Sequence, residues 1–76
     1  MNYKDELKYF SKAIKEVRNN IGITRYKASL CCDLKSHTMY DYIEEKGNPT
    51  LKSLIKLSKG LKVSIEIKNG KVFVLD

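Results

Sequence analysis

The amino-acid sequence predicts a mainly α protein, in which a four-helix domain containing a helix-turn-helix is followed by a C-terminal β-hairpin. Between residues 3 and 61, apolar side chains recur every three or four positions in stretches separated by short polar turns. After residue 62 the period changes to alternation on both sides of Asn69-Gly70, the strongest two-residue hairpin signal. We therefore expect a helix-turn-helix domain at residues 1–62 and, as part of the same domain, a hairpin at residues 63–76.

The length of 76 residues and the net charge of +6 limit the classes to which the chain can belong. A chain of this length forms one domain with a small core, to which a partner subunit would add stability. The positive charge favours a polyanionic partner such as nucleic acid, although charge alone does not identify one. Since the sequence has neither a membrane span nor the apolar core of a signal peptide, we expect a cytoplasmic protein with no membrane partner.

The first predicted helix, residues 3–20, is amphipathic. Its apolar face comprises Leu7, Phe10, Ile14, Val17 and Ile21. Its opposite face carries Lys4, Lys8, Lys12 and Lys15. These lysines either contact a nucleic-acid backbone or, in the interpretation that we favour, form an ordinary solvated surface. Gly22 ends the helix as a C-terminal cap.

The segment from Thr24 to Gly47 predicts two short helices joined by a tight turn. Thr24 caps the first helix with its hydroxyl, and the small side chains of Ala28 and Ser29 allow another helix to cross closely behind them. Asp33 occupies the turn, where a residue must tolerate left-handed backbone dihedrals. This pattern is that of a helix-turn-helix.

The second helix of this unit opens at Ser36 or Lys35 and ends at Lys46-Gly47. At 100° per residue, one side of it carries the apolar residues Met39, Tyr42 and Ile43. The other side carries His37, Tyr40, Asp41 and Glu44, and we expect this side to be exposed.

A loop at residues 46–49 precedes the last predicted helix, which runs from Leu51 to about Leu61 and is capped by Thr50. We expect its core face to comprise Leu51, Leu54, Ile55 and Leu61.

Pairing across Asn69-Gly70 divides the hairpin into two faces. The face that covers the helices comprises Val63, Ile65, Ile67, Val72 and Val74. The other face comprises Ser64, Glu66, Lys68, Lys71, Phe73 and Leu75. A lone two-stranded ribbon is only marginally stable, and the simplest remedy is a homodimer whose hairpins pair edge to edge or face to face. We expect dimerisation through Ile65, Ile67, Phe73 and Leu75. In the alternative, the hairpin folds entirely on its own helices in a monomer.

The chain lacks the residue patterns of an enzyme or a metal protein. Cys31 and Cys32 are adjacent, which suits neither a zinc site nor a disulfide framework; we expect Cys32 in the core and Cys31 nearer the surface. The single histidine, His37, is accompanied by no nucleophile, phosphate loop or metal cluster. We therefore predict no catalytic residue, no metal and no cofactor.

Several short segments together carry a resemblance to a known family. They are Ile23-Thr24-Arg25-Tyr26, Ala28-Ser29, Thr38-Met39, Ile43-Glu44 and Asn48-Pro49-Thr50-Leu51-Lys52-Ser53-Leu54. Over residues 10–65 this pattern resembles the Cro/C1 (Xre-type) family of helix-turn-helix DNA-binding repressors. The resemblance implies a lambda repressor-like fold and a dimeric regulator that binds a palindromic operator. Asp33 stands at the family's turn glycine, and one extra residue between Ser29 and Glu44 leaves the register of the second helix open by one residue.

The last helix and the strand after it, in the phrase LKSLIKLSKGLKVSIEI, resemble the end of HipB-type antitoxins. In that family, strands from two subunits pair in the dimer. The resemblance implies a homodimer and, as a possible protein partner, a toxin.

We expect the second helix of the helix-turn-helix to read DNA bases and the residues around it to contact phosphates. The predicted base-reading residues are Ser36, His37, Thr38, Tyr40 and Asp41. The predicted phosphate contacts are Thr24, Arg25, Tyr26, Lys27, Lys35, Lys46 and Asn48. Hydroxyl and imidazole groups donate and accept hydrogen bonds at base edges, whereas cationic side chains neutralise phosphate.

Two carboxylates expected on the reading helix, Asp41 and Glu44, would face a negatively charged duplex. Either Arg25, Lys35 and Lys46 neutralise them, or this face binds a protein instead of DNA. The leading prediction is a sequence-specific DNA-binding transcriptional regulator, a repressor of phage or bacterial type, that acts on double-stranded DNA. The alternative is an antitoxin-like or adaptor module that uses the same face to bind a protein partner.

Overall fold

The computed structural model describes residues 3–75. Its elements are, in chain order, α1 (Tyr3–Ile21), α2 (Arg25–Cys31), α3 (His37–Lys46), α4 (Leu51–Leu61), β1 (Ser64–Lys68) and β2 (Lys71–Leu75). This order confirms the predicted fold class, four helices followed by an antiparallel hairpin. The outer limits of the predicted domain, at residues 1 and 76, lie outside the described residues. Within residues 3–75, no helix combines the length and the apolar character needed to cross a bilayer.

Hydroxyl caps start the last three helices at the predicted residues. The backbone N–H of Lys27 donates to Thr24 Oγ1 (3.1 Å), that of Met39 to Ser36 Oγ (3.4 Å) and that of Ser53 to Thr50 Oγ1 (3.1 Å). Each bond satisfies a backbone donor that has no partner inside the helix and stabilises the helix by about 1 kcal/mol. The helix starts are therefore set by residues that adjoin them in sequence.

Residues with left-handed backbone dihedrals end the helices where the sequence predicts. Gly22 (φ +85°) follows α1, Asp33 (φ +54°) turns the chain after α2, and Gly47 (φ +65°) follows α3. At Gly47 the chain also passes so close to α1 that a Cβ atom would collide with the carbonyl group of Leu7. Glycine is therefore required at position 47 both for its dihedrals and for its lack of a side chain.

The core lies between the helices, and the hairpin packs against one side of it. Its buried apolar residues are Phe10, Ile14, Val17, Ala28, Cys32, Leu34, Tyr40, Ile43, Leu57, Leu61 and Val63. Cys32 is buried and Cys31 is exposed, as predicted. At Gly60, α4 approaches the end of α2 so closely that a Cβ atom would lie 2.6 Å from Cys32 Sγ. This approach holds α4 against the helix-turn-helix.

The predicted inner faces of α1 and α4 are correct only in part. Ile21, expected in the core, is exposed because it lies at the end of α1 beyond the helices that cover Val17. On α4, Leu51 is 73% exposed and Ile55 is 51% exposed, although both were expected inside. The inner face of α4 comprises Ser53, Leu57 and Leu61. Gly60 lies on this same face, and its close approach to α2 turns Leu51 and Ile55 away from the core.

The hairpin has the predicted register. Its pairs are Ser64 with Leu75, Ile65 with Val74, Glu66 with Phe73, Ile67 with Val72 and Lys68 with Lys71. Asn69 (φ +51°) and Gly70 (φ +78°) have the positive dihedrals of a type I′ turn. On the inner face, the half-buried Ile65, Val72 and Val74 pack against the core. Ile67, expected to cover the helices, is instead 64% exposed, since it lies over an open groove beside Leu51.

Side chains of α1 close the outer edge of β2. Glu6 Oε1 accepts a hydrogen bond from the N–H of Val72 at 2.9 Å. The Tyr9 hydroxyl oxygen accepts one from the N–H of Val74 at 3.3 Å. These bonds satisfy outward-facing N–H groups of a strand that has no further strand beside it. The hairpin is thus attached to α1 by hydrogen bonds as well as by apolar contact.

Candidate nucleic-acid interface

The turn between α2 and α3 is built from backbone bonds and one buried hydroxyl. The N–H of Cys32 donates to the Ala28 carbonyl, and the N–H of Leu34 donates to the Ser29 carbonyl, both at 3.0 Å. The buried Ser29 hydroxyl donates to the carbonyl of Tyr26 at 2.6 Å. These bonds extend past the end of α2 and set the direction in which α3 leaves the turn. The two helices and their turn form the helix-turn-helix that the sequence predicts.

The rotation of α3 about its own axis differs from the prediction. Tyr40 and Glu44, both expected on the exposed face, are buried, and Tyr40 belongs to the core. Met39 and Tyr42, both expected inside, are exposed. Ile43 is buried as predicted. A fully buried side chain cannot contact a DNA base, so the assignment of Tyr40 to the base-reading residues is wrong.

An ion pair between α1 and α3 accounts for this rotation. Arg18 Nε lies 2.6 Å from Glu44 Oε2, and Arg18 Nη2 donates to Glu44 Oε1 at 3.2 Å. Arg18 Nη1 also donates to the carbonyl of Ile23 at 2.9 Å, and the Ser11 hydroxyl donates to the Glu44 carbonyl. The Glu44 side chain has no exposed surface, and a carboxylate in that position requires a cationic partner. Turning Glu44 inward toward Arg18 carries Tyr40 into the core and Tyr42 to the surface.

Burial and Arg18 act in opposite directions on the Glu44 carboxyl. Burial is the largest single influence and raises its pKa, but the hydrogen bonds from Arg18, the neighbouring Tyr40 and the positive charges of Arg18 and Arg25 together lower it by more, so the pKa lies below its usual value. The bond to Glu44 raises the pKa of Arg18. Burial, reinforced by the neighbouring Glu44, raises the pKa of Tyr40, whose hydroxyl has no hydrogen-bond partner with good geometry among residues 3–75. At neutral pH this cluster is therefore a paired carboxylate and guanidinium beside a neutral phenol.

The other predicted base-reading residues lie at the start of α3. Ser36, His37 and Thr38 are exposed, and Asp41 is half-buried. The His37 ring meets the Tyr26 ring of α2 edge to face, with the ring centres 6.4 Å apart and the planes at 64°. The structure thus brings three hydrogen-bonding side chains together at one exposed helix end.

Sequence reasoning missed two exposed residues of α3. Tyr42 lies four residues after Thr38, hence on the same side of the helix, and Met39 lies beside the helix start. The sequence feature that could have indicated their exposure is the extra residue between Ser29 and Glu44. A register shift of one residue rotates the exposed face of the helix by about 100°.

Cationic and polar side chains surround the start of α3. Among the predicted phosphate contacts, Thr24, Tyr26, Lys27, Lys35, Lys46 and Asn48 are exposed. Arg25 differs from them, since its Nε lies 3.3 Å from Glu44 Oε1 and its Nη1 lies 3.5 Å from Asp41 Oδ1. Its side chain is still 38% exposed, but its charge is engaged by two carboxylates. Lysines are therefore better placed than Arg25 to neutralise phosphate.

The surface of α3 is less acidic than the sequence predicts. Glu44 is removed to the interior by Arg18, and Asp41 is paired with Arg25. Glu45, in the last turn of the helix, remains exposed. The first turn of α3 contains no acidic residue.

Among the described residues, the two thiols and the other candidate metal-binding side chains do not come together in a metal cluster. Within residues 3–75, no group of three or more His, Cys, Asp and Glu side chains is placed to hold a metal ion. Burial raises the pKa of the Cys32 thiol to about 11, which keeps it protonated and unreactive at neutral pH.

Comparison with protein-family models, with curated proteins and with solved structures found no match to this chain. Its function must therefore be inferred from its own residues.

Proposed function

We propose that the protein is a sequence-specific DNA-binding transcriptional regulator, a repressor in the simplest case, that binds a palindromic operator as a dimer. The observation that carries the proposal is the exposed start of α3, where Ser36, His37 and Thr38 stand together on the second helix of a rigid helix-turn-helix. The major groove of B-DNA, about 12 Å wide, accommodates an α-helix, whose first residues then reach the base edges.

Base reading is assigned to the hydrogen-bonding side chains on this side of α3. His37 and Thr38 each offer donors and acceptors to base edges, and Ser36 adds a hydroxyl whose oxygen also caps the helix. Tyr42 is exposed on the same side of α3 as Thr38, and we assign to it the base-reading role that the sequence analysis gave to Tyr40. Its phenol can bond a base edge or press against a thymine methyl group.

Phosphate contact is assigned to the exposed lysines Lys27, Lys35 and Lys46. Each neutralised phosphate releases counterions, so these residues supply affinity that is independent of sequence and falls steeply with salt. Arg25 is assigned a positioning role, because it holds Asp41 and Glu44 and so neutralises carboxylates that would otherwise repel the duplex. This division separates the residues that select a sequence from those that only hold DNA.

Binding sites selected from a random oligonucleotide pool, followed by fluorescence titration, test the proposal. A selected and a scrambled duplex are titrated at about 50 and 200 mM salt. We expect tighter binding to the selected duplex, and affinity for both duplexes that falls with salt. Selection that enriches no sequence, together with flat titrations of both duplexes, would overturn the proposal.

Paired substitutions test the two assigned roles. Thr38→Ala and Tyr42→Ala should reduce the preference for the selected duplex, by about 1–3 kcal/mol for a lost base contact. Lys35→Ala should weaken both duplexes alike and reduce the salt slope by about one. Lys15→Ala removes the same charge from the exposed face of α1 and serves as the matched control. Equal loss of preference in all variants would contradict this division.

A protein-interaction module, such as an antitoxin that binds a toxin, is the second candidate. The acidic face on which the sequence argument rested is not formed, since Tyr40 and Glu44 are buried. The observation that favours a protein partner is instead the exposure of Leu30, Met39 and Tyr42 on the helix-turn-helix. A stoichiometric protein partner that is lost on Leu30→Ser, combined with flat DNA titrations, would favour this candidate over the first.

A further inference from the structure

The two outer edges of the hairpin are in different states. The N–H groups of Val72 and Val74 on the β2 edge are bonded to α1 side chains. In the hairpin register, Val72 is opposite Ile67 and Val74 is opposite Ile65. Both are non-hydrogen-bonded pairs, in which the backbone N–H and C=O groups of each residue point away from the other strand of the hairpin. The N–H and C=O groups of Ile65 and Ile67 therefore point outward from β1, and within residues 3–75 no hydrogen bond reaches them.

An apolar groove of about 330 Å³ adjoins this open edge. It is lined by Leu51, Leu54, Ile55, Ser58, Lys59, Ile65 and Ile67. Leu51 and Ile55 of α4 and Ile67 of β1 are three of the residues that were expected on core faces and are exposed. Three large aliphatic side chains are thus left in water beside a row of unsatisfied backbone groups, which is the usual signature of a strand-addition surface.

We infer that the open β1 edge pairs antiparallel with β1 of a second copy of this chain about a two-fold axis. An antiparallel edge is complementary to itself, because Ile65 of one copy can exchange both backbone bonds with the partner subunit's Ile67, and the reverse pair forms by symmetry. Inner-face side chains stay on the inner face across such a sheet. The partner subunit's Ile67 therefore enters the groove beside Leu51 and Ile55.

The charges of β1 are compatible with this pairing. Its outer face carries Ser64, Glu66 and Lys68, so each copy contributes one carboxylate and one ammonium group. In the inferred register Glu66 faces the partner subunit's Glu66 across the axis. Each carboxylate also has Lys68 beside it on its own strand and the partner subunit's Lys68 on the diagonal, and these lysines offset the like-charge contact.

This inference deepens the proposed function, because a palindrome requires two copies, but it rests on the hairpin edge and not on the DNA-binding surface. It is tested without DNA by analytical ultracentrifugation at concentrations up to about 100 µM. We expect the mass to approach twice the 8.8 kDa of the chain. A wild-type chain that stays a monomer over the whole range would overturn the inference.

Three variants locate the interface. Ile67→Pro removes an N–H that the hairpin itself does not use, and Leu51→Lys places a charge in the groove at a position that is exposed in the monomer. Both should raise the dissociation constant of the dimer at least about tenfold. Leu75→Lys changes an aliphatic residue on the outer face of β2, 47% exposed, and should leave the constant unchanged.

The variants also separate the possible outcomes. Dissociation by Leu75→Lys with no effect of Leu51→Lys would place the interface on the Phe73 and Leu75 face and overturn the inference. Circular dichroism checks that each variant is folded. Ile67→Pro changes the hairpin itself, whereas Leu51→Lys lies on α4, outside the hairpin. Dissociation by Leu51→Lys therefore shows that the loss of the dimer does not come from a disturbed hairpin. A dimer without DNA binding would contradict only the proposed function, whereas a monomer that binds DNA would contradict only the inferred interface.

Discussion

The Glu44 side chain has no exposed surface and is paired with two arginines, Arg18 at 2.6 Å and Arg25 at 3.3 Å; Arg18 is the closer and the less exposed of the two. Such a pair adds little net stability compared with a well-packed apolar pair, because both charges must be desolvated. Its effect is specific, since Glu44 can remain charged inside the protein only on the side of α3 that faces Arg18 and Arg25. The pair therefore determines which side of α3 is presented to solvent, and with it which residues are available for the proposed base contacts.

The pH dependence of stability follows from the lowered pKa of Glu44. In the unfolded chain this carboxyl titrates near its usual pKa of about 4.3. The pair's contribution is thus fully present above that pH and is lost as the pH falls through the lower pKa of the folded state. We expect the free energy of unfolding, measured by urea denaturation, to fall in this acidic range.

Glu44→Gln is the control for this prediction. At pH 7 it should destabilise the fold by about 3 kcal/mol, because it removes the buried carboxylate and leaves the largely covered Arg18 guanidinium without its partner. The difference between the variant and the wild type should shrink as the pH falls below 4, since the wild-type carboxyl is then being protonated as well. A difference that stays constant down to pH 2 would show that the ion pair is not its source.

At the scale of the element, the starts of α2, α3 and α4 and the ends of the helices are set by residues close to them in sequence. Hydroxyl caps start α2, α3 and α4, and left-handed residues follow α1, α2 and α3. Gly47 is exceptional among these ends because it is also a packing contact between the end of α3 and α1. It thus fixes the position of α3 as well as its length.

Gly47→Ala tests this double role against Gly22→Ala. Both glycines have positive φ, so both substitutions carry the strain of a left-handed alanine, about 1 kcal/mol. Only at Gly47 does the added methyl group collide with the Leu7 carbonyl, whereas nothing lies within 4 Å of it at Gly22. We expect Gly47→Ala to lower the thermal unfolding midpoint clearly more than Gly22→Ala. Equal shifts would mean that α1 moves aside at no cost.

At the scale of the whole molecule, the two edges of the hairpin differ, and the inferred association of two copies depends on this difference. One of its edges is closed by α1, and the other adjoins the apolar groove of α4. In the function proposed above, two copies of α3 held at a fixed separation would read two half-sites about 34 Å apart, one turn of DNA. Linking two weak binding events in this way would raise the affinity for the full operator without any new contact to DNA.

The interface variant makes this coupling measurable. Leu51→Lys should lower the affinity for a duplex with two half-sites at least about tenfold, while leaving that for a single half-site unchanged. Fluorescence titration of both duplexes gives the two values, with Leu75→Lys as the control. An equal loss on both duplexes would show that Leu51 acts on the helix-turn-helix itself and not on the association of two copies.

The sequence by itself determined where each element begins and ends and how the two strands pair. Thr24, Ser36 and Thr50 act through hydrogen bonds to residues three positions away, and Asn69-Gly70 sets the strand register through its own dihedrals. Such interactions lie within a few residues, so they can be recognised from the residues alone.

The tertiary structure alone decided which faces of α3 and α4 point inward. Glu44 is turned by Arg18, 26 residues before it, and α4 is turned by the approach of Gly60 to Cys32. Two rotations of α3 that differ by one residue, or about 100°, both place apolar side chains on the inner face. The apolar pattern alone therefore does not fix the rotation of the helix. The long-range partner settles it, and for that reason Tyr40 is a core residue and Tyr42 a surface one.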